Sequence, residues 1–436
     1  MVEESTSKPT ATTATTTATT VKKKDGPAPS ASAEGAAPFP DMALCQHMHR
    51  LTTAKASSAA SPELLQLQTD VFTKIVTEWE NPSLYRFLRH KLYGPDTTIP
   101  PSAPAAAQAS EDALTALDHK HDAAWKEIEA KVEQAKESAG DMEVMEAKLE
   151  LARLAAKSLS KTQALQAYQD VIDLPKVSIG KKIDCYMERA RLASFYDDTV
   201  AADDNIEQAL SLAEGSGGDW DRRNRLKVYR ALQLLLHRDL KKASSLLLDC
   251  IATFSCNEMC PYADFIVYVV LTNLLHLPRP ELKKKILDGP EILSVAHEIP
   301  IVLQLAKAYY ETDYKAYLQA MVELDTHVLW NDRYLQPHAA FWMRELHILA
   351  YKQFLDAYQS VTLQAMADAF GVSTDFIDYH ASRFIAANRL SAKIDKYGGV
   401  IVTNRPDLKN AQYREMIQKG DLLLNRIQKL SRVVDL

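Results

Sequence analysis

Paired apolar stripes that return along the middle of the chain restrict its fold more than any other feature. Met145, Leu149 and Ala152 mark one helical face, and Leu165, Tyr168 and Ile172 mark a second, closed by Pro175. Ile183, Met187 and Ala190, followed by Ile206, Leu210 and Ala213, repeat the pair. Tyr229, Leu232 and Leu236, followed by Ala243, Leu247 and Cys250, repeat it again. A helix pair with one apolar stripe cannot bury that stripe alone. Pairs recurring about every 40 residues bury it against the next pair, so the chain is expected to be mainly α, a TPR-like helical-repeat solenoid.

The array continues. Tyr262–Leu277 is apolar nearly all round and bounded by Pro261 and Pro278, which predicts a buried helix. Pro300–Tyr310, Asp313–His327 and Pro337–Tyr358 extend it, the last with Ile348, Tyr351, Leu355 and Tyr358 on one face. After Ser360 the period changes. Leu363–Phe370 reads as a short helix broken by Gly371, and Thr374 opens a second helix to about Asn388. Ala392–Asp395 and Val400–Thr403 are β-prone runs joined through Lys396, Tyr397, Gly398 and Gly399, which is turn chemistry. Helix, turn, helix, hairpin is the order of a winged helix. Pro406 ends the hairpin, and a last helix runs from about Asn410 toward the terminus. Along it Met416, Leu423 and Leu430 are spaced by seven, and Ile427 and Val434 form a second row offset by four. That is a short heptad seam on a narrow apolar strip, since Gln418, Lys419, Asp421, Asn425, Arg426, Gln428 and Lys429 are polar. Such a seam suits a bundle with a partner better than a broad face folded on its own domain.

N-terminal to the repeats, Met1 to about Pro40 is Thr, Ala, Ser and Pro in low-complexity order, with few large apolar side chains to offset the entropy of ordering it. Lys22, Lys23 and Lys24 there are read as solvated lysines, not an import signal. Leu64, Leu67, Val71 and Ile75, then Leu84, Phe87 and Leu88, are helical on either side of Asn81-Pro82. Gly94 to about Ala109 is Pro and Ala rich. Glu111–Glu137 is charged on most faces, with Leu114, Leu117, His121, Ile128 and Val132 as sparse apolar points, so a long, mostly exposed helix is expected. The expected organisation is a tail over 1–60, helices over 61–93, a linker over 94–110, a repeat arm over 111–330, the winged helix with its leading helix over 331–405, and a C-terminal bundle helix over 406–436.

With 47% hydrophobic residues, the 436-residue chain has ample core material. A net charge of −6 gives no bulk reason to expect nucleic acid as a partner. Five cysteines without a secretory leader point to free thiols in a reducing compartment, cytosolic or nuclear. No apolar run approaches the roughly 18 residues that cross a bilayer.

Chemistry-bearing patterns fail on spacing. His47 and His49, with Ser57 eight positions on, begin like a metallo-isopeptidase motif, but Ala60 stands where that motif needs an Asp ligand, so zinc would lack its cage. Cys250, Cys256 and Cys260 match neither paired Cys-x-x-Cys knuckles nor a redox motif and are read as packed thiols. Gly215, Ser216, Gly217 and Gly218 lack a following Gly-Lys-Ser/Thr and read as a helix cap and turn. In the winged helix Arg383, Arg389, Lys393 and Lys396 are the candidate contact residues. Asp368, Asp375, Asp378 and Asp395 offset them, and Asp375 and Asp378 sit toward the N-terminal half of the would-be recognition helix, where phosphates come closest. Protein contact is therefore favoured over DNA or RNA.

Several runs carry a family resemblance: Gly217–Tyr229 (GGDWDRRNRLKVY), Ala369–Val372 (AFGV), Ser382–Ala387 (SRFIAA), Lys393–Lys396 (KIDK), Thr403–Asp407 (TNRPD), Lys419–Arg426 (KGDLLLNR) and Gln428–Val433 (QKLSRV). From about Glu111 onward the chain resembles the PCI-domain subunits of the 26S proteasome regulatory lid. The resemblance implies a non-catalytic scaffold in ubiquitin-dependent proteolysis: a helical-repeat arm, a winged helix joining a horseshoe of sister PCI domains, and a C-terminal helix entering a bundle. It implies no cofactor and no metal. Its implied partners are the other lid PCI subunits and the lid metallo-isopeptidase pair, with the ATPase ring as a further contact, and its compartments are cytoplasm and nucleus. Nucleic acid and membrane are not among them. PCI subunits of the signalosome or of the translation initiation scaffold share the winged helix and stand as the alternative. The Gly217–Tyr229 and Lys419–Val433 runs decide between them. The Thr-rich tail and the Pro/Ala stretch around Pro100–Pro104 depart from the family pattern.

Overall fold

The computed structural model describes residues 39–56, 62–94, 111–138, 140–158, 160–217, 219–404 and 408–434. The low-complexity run over 1–38 and the Pro/Ala-rich run over 95–110 lie outside them. Three helices come first: α1 (Met42–Ala56), α2 (Pro62–Thr77) and α3 (Pro82–Tyr93). The arm follows as α4 (Glu111–Ser138), α5 (Asp141–Ser158), α6 (Lys161–Ile172), α7 (Ile179–Phe195), α8 (Thr199–Leu212), α9 (Trp220–Leu236), α10 (Leu240–Cys250) and α11 (Tyr262–His276). Two short helices, α12 (Arg279–Leu282) and α13 (Pro290–Ser294), lead to α14 (Pro300–Glu311), α15 (Tyr314–Leu324) and α16 (Ala339–Asp356). Helices α5/α6, α7/α8, α9/α10 and α14/α15 pack as consecutive pairs, which is the solenoid expected from the apolar period.

One turn recurs in this array. Asp197, Arg238 and Thr312 adopt the left-handed conformation, and Asp198, Asp239 and Asp313 follow as N-caps. The cap amides donate back to Ala193 O (3.0 Å), Leu234 O (2.9 Å) and Ala308 O (3.0 Å), closing the preceding helix in the same way each time. Each Asp carboxylate accepts from an amide three residues on: Ala201 N (3.1 Å), Lys242 N (3.4 Å) and Ala316 N (3.1 Å). A non-glycine residue in that conformation costs roughly 1–2 kcal/mol, and a good N-cap contributes about 1 kcal/mol in return. The first two turns stand about 40 residues apart, so the repeat is written in backbone geometry as well as in apolar spacing.

The core is continuous from α1 to the winged helix, with Phe265, Tyr268, Tyr317, Trp342 and Tyr351 among its fully buried side chains. A satellite cluster joins Met145, Leu149, Tyr168 and Cys185. Helix α11 is buried as its all-round apolarity predicts. Helix α4 is mostly exposed, yet Leu114, His121, Ile128 and Val132 form a buried line along it. The tail expected over 1–60 ends sooner than that, because Leu44, Cys45, Met48 and Leu51 bury one face of α1 in the main core. Arg333 clasps α1 from the far end of the arm: it donates to Cys45 Sγ (3.0 Å) and to Ser194 O, and pairs with Asp197 (3.1 Å).

Beyond α16 come β1 (Ser360–Thr362), α17 (Leu363–Phe370), α18 (Thr374–Ala386), β2 (Ala392–Asp395) and β3 (Val400–Thr403). The sheet is antiparallel in the order β1-β3-β2, and Ile401, opposite both Val361 and Ile394, is its buried centre. Strand β1 was not expected from sequence. The winged helix is bolted to the arm by aromatics: Phe370 lies 4.8 Å from Tyr314, 5.0 Å from Tyr351 and 5.5 Å from Phe354, centroid to centroid. Gly371 ends α17 at φ 67°, and a Cβ there would press on Lys315 Cγ at 3.1 Å. The chain ends in α19 (Leu408–Val434).

Candidate functional site

Helix geometry disperses the histidines that sequence had brought together. His47 and His49 both lie on α1, two residues apart and so on opposed faces, about 200° around the helix. Burial, then Arg50 and Lys74, hold His47 below the usual imidazole range; burial, then Arg333, does the same for His49. Ser57 and Ala60 lie outside the described residues. The five thiols are buried, and burial is the largest cause pushing all of them up, Cys185 to about 12 and Cys250 to about 11. Among the described residues no three His, Cys, Asp or Glu side chains gather closely enough to hold a metal ion. Gly215 falls in the turn that closes α8, consistent with a helix cap.

The winged-helix cations do not form a common patch. Arg389 reaches back to the leading helix α16 and pairs with Glu345 there, whose side chain is 12% exposed, with one contact at 3.0 Å. Lys396 pairs with Asp378 at 3.0 Å. Arg383 covers the Tyr379 ring at 5.3 Å and donates to its hydroxyl at 2.9 Å. Lys393 stands exposed on β2, on the sheet face it shares with Val402 and Ser360. Two of the four cations are thus neutralised within the chain and a third is laid on a tyrosine ring, which reduces the counterion release that a phosphate backbone would reward. The surface instead offers apolar points that charge-based reading passed over. Tyr397 at the wing tip is fully exposed, Tyr379 on α18 is 58% exposed, and β1 and β2 are the two edge strands of the sheet.

The C-terminal helix presents the other surface. Met416, Leu423, Ile427, Leu430 and Val434 are all exposed, as is every residue of α19 whose burial is described. The strip is broader than the heptad reading made it. At ~100° per residue, Tyr413, Ile417 and Leu424 fall on the same side, giving an apolar arc of about 140°. The signal was present in sequence, but the Leu422–Leu424 run blurs the period by placing Leu422 on the opposite face.

Comparison with known proteins follows this architecture. A family model described as 26S proteasome subunit RPN7 matches residues 110–285, and a PCI domain model matches residues 316–405. A model described as the 26S proteasome regulatory subunit RPN7/PSMD6 C-terminal helix matches residues 412–434. The chain is 47% identical over 311 residues to the 26S proteasome non-ATPase regulatory subunit 6 homolog of Arabidopsis thaliana, covering 71% of this chain and 80% of the relative. It is 30% identical over 404 residues to the 26S proteasome regulatory subunit rpn7 of Schizosaccharomyces pombe, covering 92% and 98%. A weaker similarity, 28% over 167 residues and 38% of the chain, links it to COP9 signalosome complex subunit 1 of Arabidopsis thaliana.

Proposed function

The chain belongs to the 26S proteasome subunit RPN7 family and is a subunit of the proteasome regulatory particle lid, and from that premise we propose that it serves there as a non-catalytic scaffold. The observation that carries this reading is the uncovered apolar arc of α19. In proteins most helical stability comes from packing an amphipathic face, and a contiguous exposed apolar face is characteristic of protein-protein contact. We read α19, through Met416, Leu423, Ile427, Leu430 and Val434, as one strand of a helix bundle with other lid subunits. The winged helix is the second contact. Its edge strands offer unpaired backbone groups to neighbouring PCI domains, with Tyr379, Arg383, Lys393 and Tyr397 flanking them. Arg389 and Lys396 act in this reading by holding the winged helix and its wing in place, through Glu345 and Asp378. The arm, clasped to α1 by Arg333, sets the distance between these contacts and whatever the repeats meet.

The partners proposed are the sister PCI subunits and the metallo-isopeptidase pair of the lid, with the ATPase ring as a further contact of the arm. Cytoplasm and nucleus are the proposed compartments. Among the described residues no helix is long and apolar enough to cross a membrane. Gentle affinity purification of the tagged chain from cell extract tests the scaffold reading. Stoichiometric recovery of the lid and its ATPase-bearing partner assembly is expected. Recovery as a monomer, turning over a substrate without companions, would overturn it.

A further inference from the structure

Where the arm meets the winged helix, a cleft of about 490 Å³ opens between the recurring turn before α10 and the outer side of α16. Its walls carry Arg238, Lys241, Lys352 and Arg389 against the carboxylates of Asp239 and Glu345. The two carboxylates are already committed. Asp239 caps α10 and pairs with Lys242 at 2.8 Å, while Glu345 is shared between Arg389 and Arg344. Arg238, Lys241 and Lys352 have no carboxylate within ion-pair distance among the described residues. A further cation stands beside them: Phe341, in the cleft wall, holds the guanidinium of Arg238 at 5.0 Å from its ring centre and that of Arg344 at 5.2 Å. Like charges repel, yet here one aromatic ring holds two guanidinium groups at the same rim.

From this cleft we infer a binding site for a compact polyphosphate anion, of the inositol polyphosphate or inorganic polyphosphate class. Two separate elements supply the unpaired cations, the turn with the start of α10 and helix α16, and Arg389, held by Glu345, stands beside them. They surround a volume in the small-ligand range of roughly 300–1,000 Å³ and do not run along a face. A compact polyphosphate concentrates its charge in such a space, whereas an extended acidic peptide delivers one side chain per ~3.5 Å of chain. The guanidinium of Arg238, held against Phe341, keeps N–H groups for a phosphate oxygen, the fork geometry arginine favours. Because Arg238 and Lys241 belong to the turn and helix α10 and Lys352 to α16, an anion bound between them braces the packing of α16 against the repeats. Such a site goes beyond the scaffold role and stands apart from it.

The test is isothermal titration of the purified full-length chain with inositol hexakisphosphate and, separately, with tripolyphosphate, in about 150 mM salt. Saturable one-to-one binding with a Kd below about 10 μM is expected for at least one of them. Lys241→Gln with Lys352→Gln should weaken it by about tenfold or more and flatten its salt dependence. Neither lysine is buried, so folding of the double variant is expected to be intact and is checked by circular dichroism. Lys148→Gln with Lys419→Gln, which removes the same charge elsewhere, should leave Kd unchanged. The inference is overturned by three results: no saturable binding up to about 1 mM ligand, equal loss in both double variants, or tighter binding of a polyglutamate peptide than of either phosphate ligand. Each of these outcomes is independent of whether the chain enters the lid.

Discussion

Replacing Leu423 and Ile427 by Asp separates a helix that awaits a partner from one that is merely surface. The two side chains lie one turn apart on α19 and are 60% and 56% exposed. Fully covering a Leu or Ile contributes about 1.5–3 kcal/mol, so covering the area still open contributes about 1–2 kcal/mol each. The double substitution forfeits roughly 2–4 kcal/mol of that. It also sets two carboxylates in an apolar seam, which adds several kcal/mol unless they keep their water. A total of about 5 kcal/mol or more corresponds to a loss of roughly 10³–10⁴ in the affinity of this contact. The isolated chain should barely notice, because exposed substitutions usually change stability by no more than about 0.5 kcal/mol each. Gln418→Asp with Asn425→Asp adds the same charge on the polar arc and is the control. The assay is recovery of tagged chain in the assembled particle on native gels, beside thermal melts of each purified chain. If the Leu423→Asp/Ile427→Asp chain is incorporated as fully as the control, the bundle reading of α19 fails.

Two further outcomes follow from buried ionisable groups. Asp264, in the first turn of α11, has its carboxyl pushed up to about 6, chiefly by burial and then by Asp332, with Arg50 opposing. A folded pKa above the ordinary 3.8 means that the ionised group costs stability above pH 6 and that this cost fades as pH falls from 6 toward 4. Asp264→Asn should therefore raise the melting temperature at pH 7.5 and do progressively less down to about pH 4; a gain that grows on acidification would contradict this. The cysteines give the second. With all five buried and their thiols raised, an aromatic disulfide reagent at pH 8 should label essentially none in the native chain and all five after denaturation. Rapid native labelling of any one of them would show that its burial is misjudged.

The repeat arm was legible because its information is local. Each apolar stripe lies within one helix, whereas the recurring turn, with its left-handed residue before each capping Asp, was not read from sequence. Strands β2 and β3 were legible for the same reason, with β-branched residues on either side of a Gly-Gly turn. Strand β1 was not. It is the three residues Ser360, Val361 and Thr362, and it exists because β3, some 40 residues later, lies alongside it. Helix α1 was hidden by its company. Leu44, Met48 and Leu51 have helical spacing, but Thr, Ala and Ser on both sides give that stretch the composition of a tail. Its order comes from contacts with Phe195, Asp332 and Arg333, all far away in sequence. The charges of the winged helix balance in sequence, but only the fold pairs Arg389 with Glu345 and Lys396 with Asp378.

This contrast bears on what α19 is for. The arm and winged helix complete their core without it: Trp342, Tyr351, Phe370 and Ile401 are already buried, and the two bodies are joined by aromatic contacts and the Glu345–Arg389 pair. A terminal helix that served the stability of its own chain would leave a matching apolar gap in that core when it stood away, and would show a face half covered. Here the core is closed while the helix keeps an apolar arc of about 140° in water. An arc left in water beside a closed core is what the proposed bundle with another chain requires. The same reasoning assigns the opposite role to Arg389, which is spent inside the molecule, on the angle at which the winged helix is held.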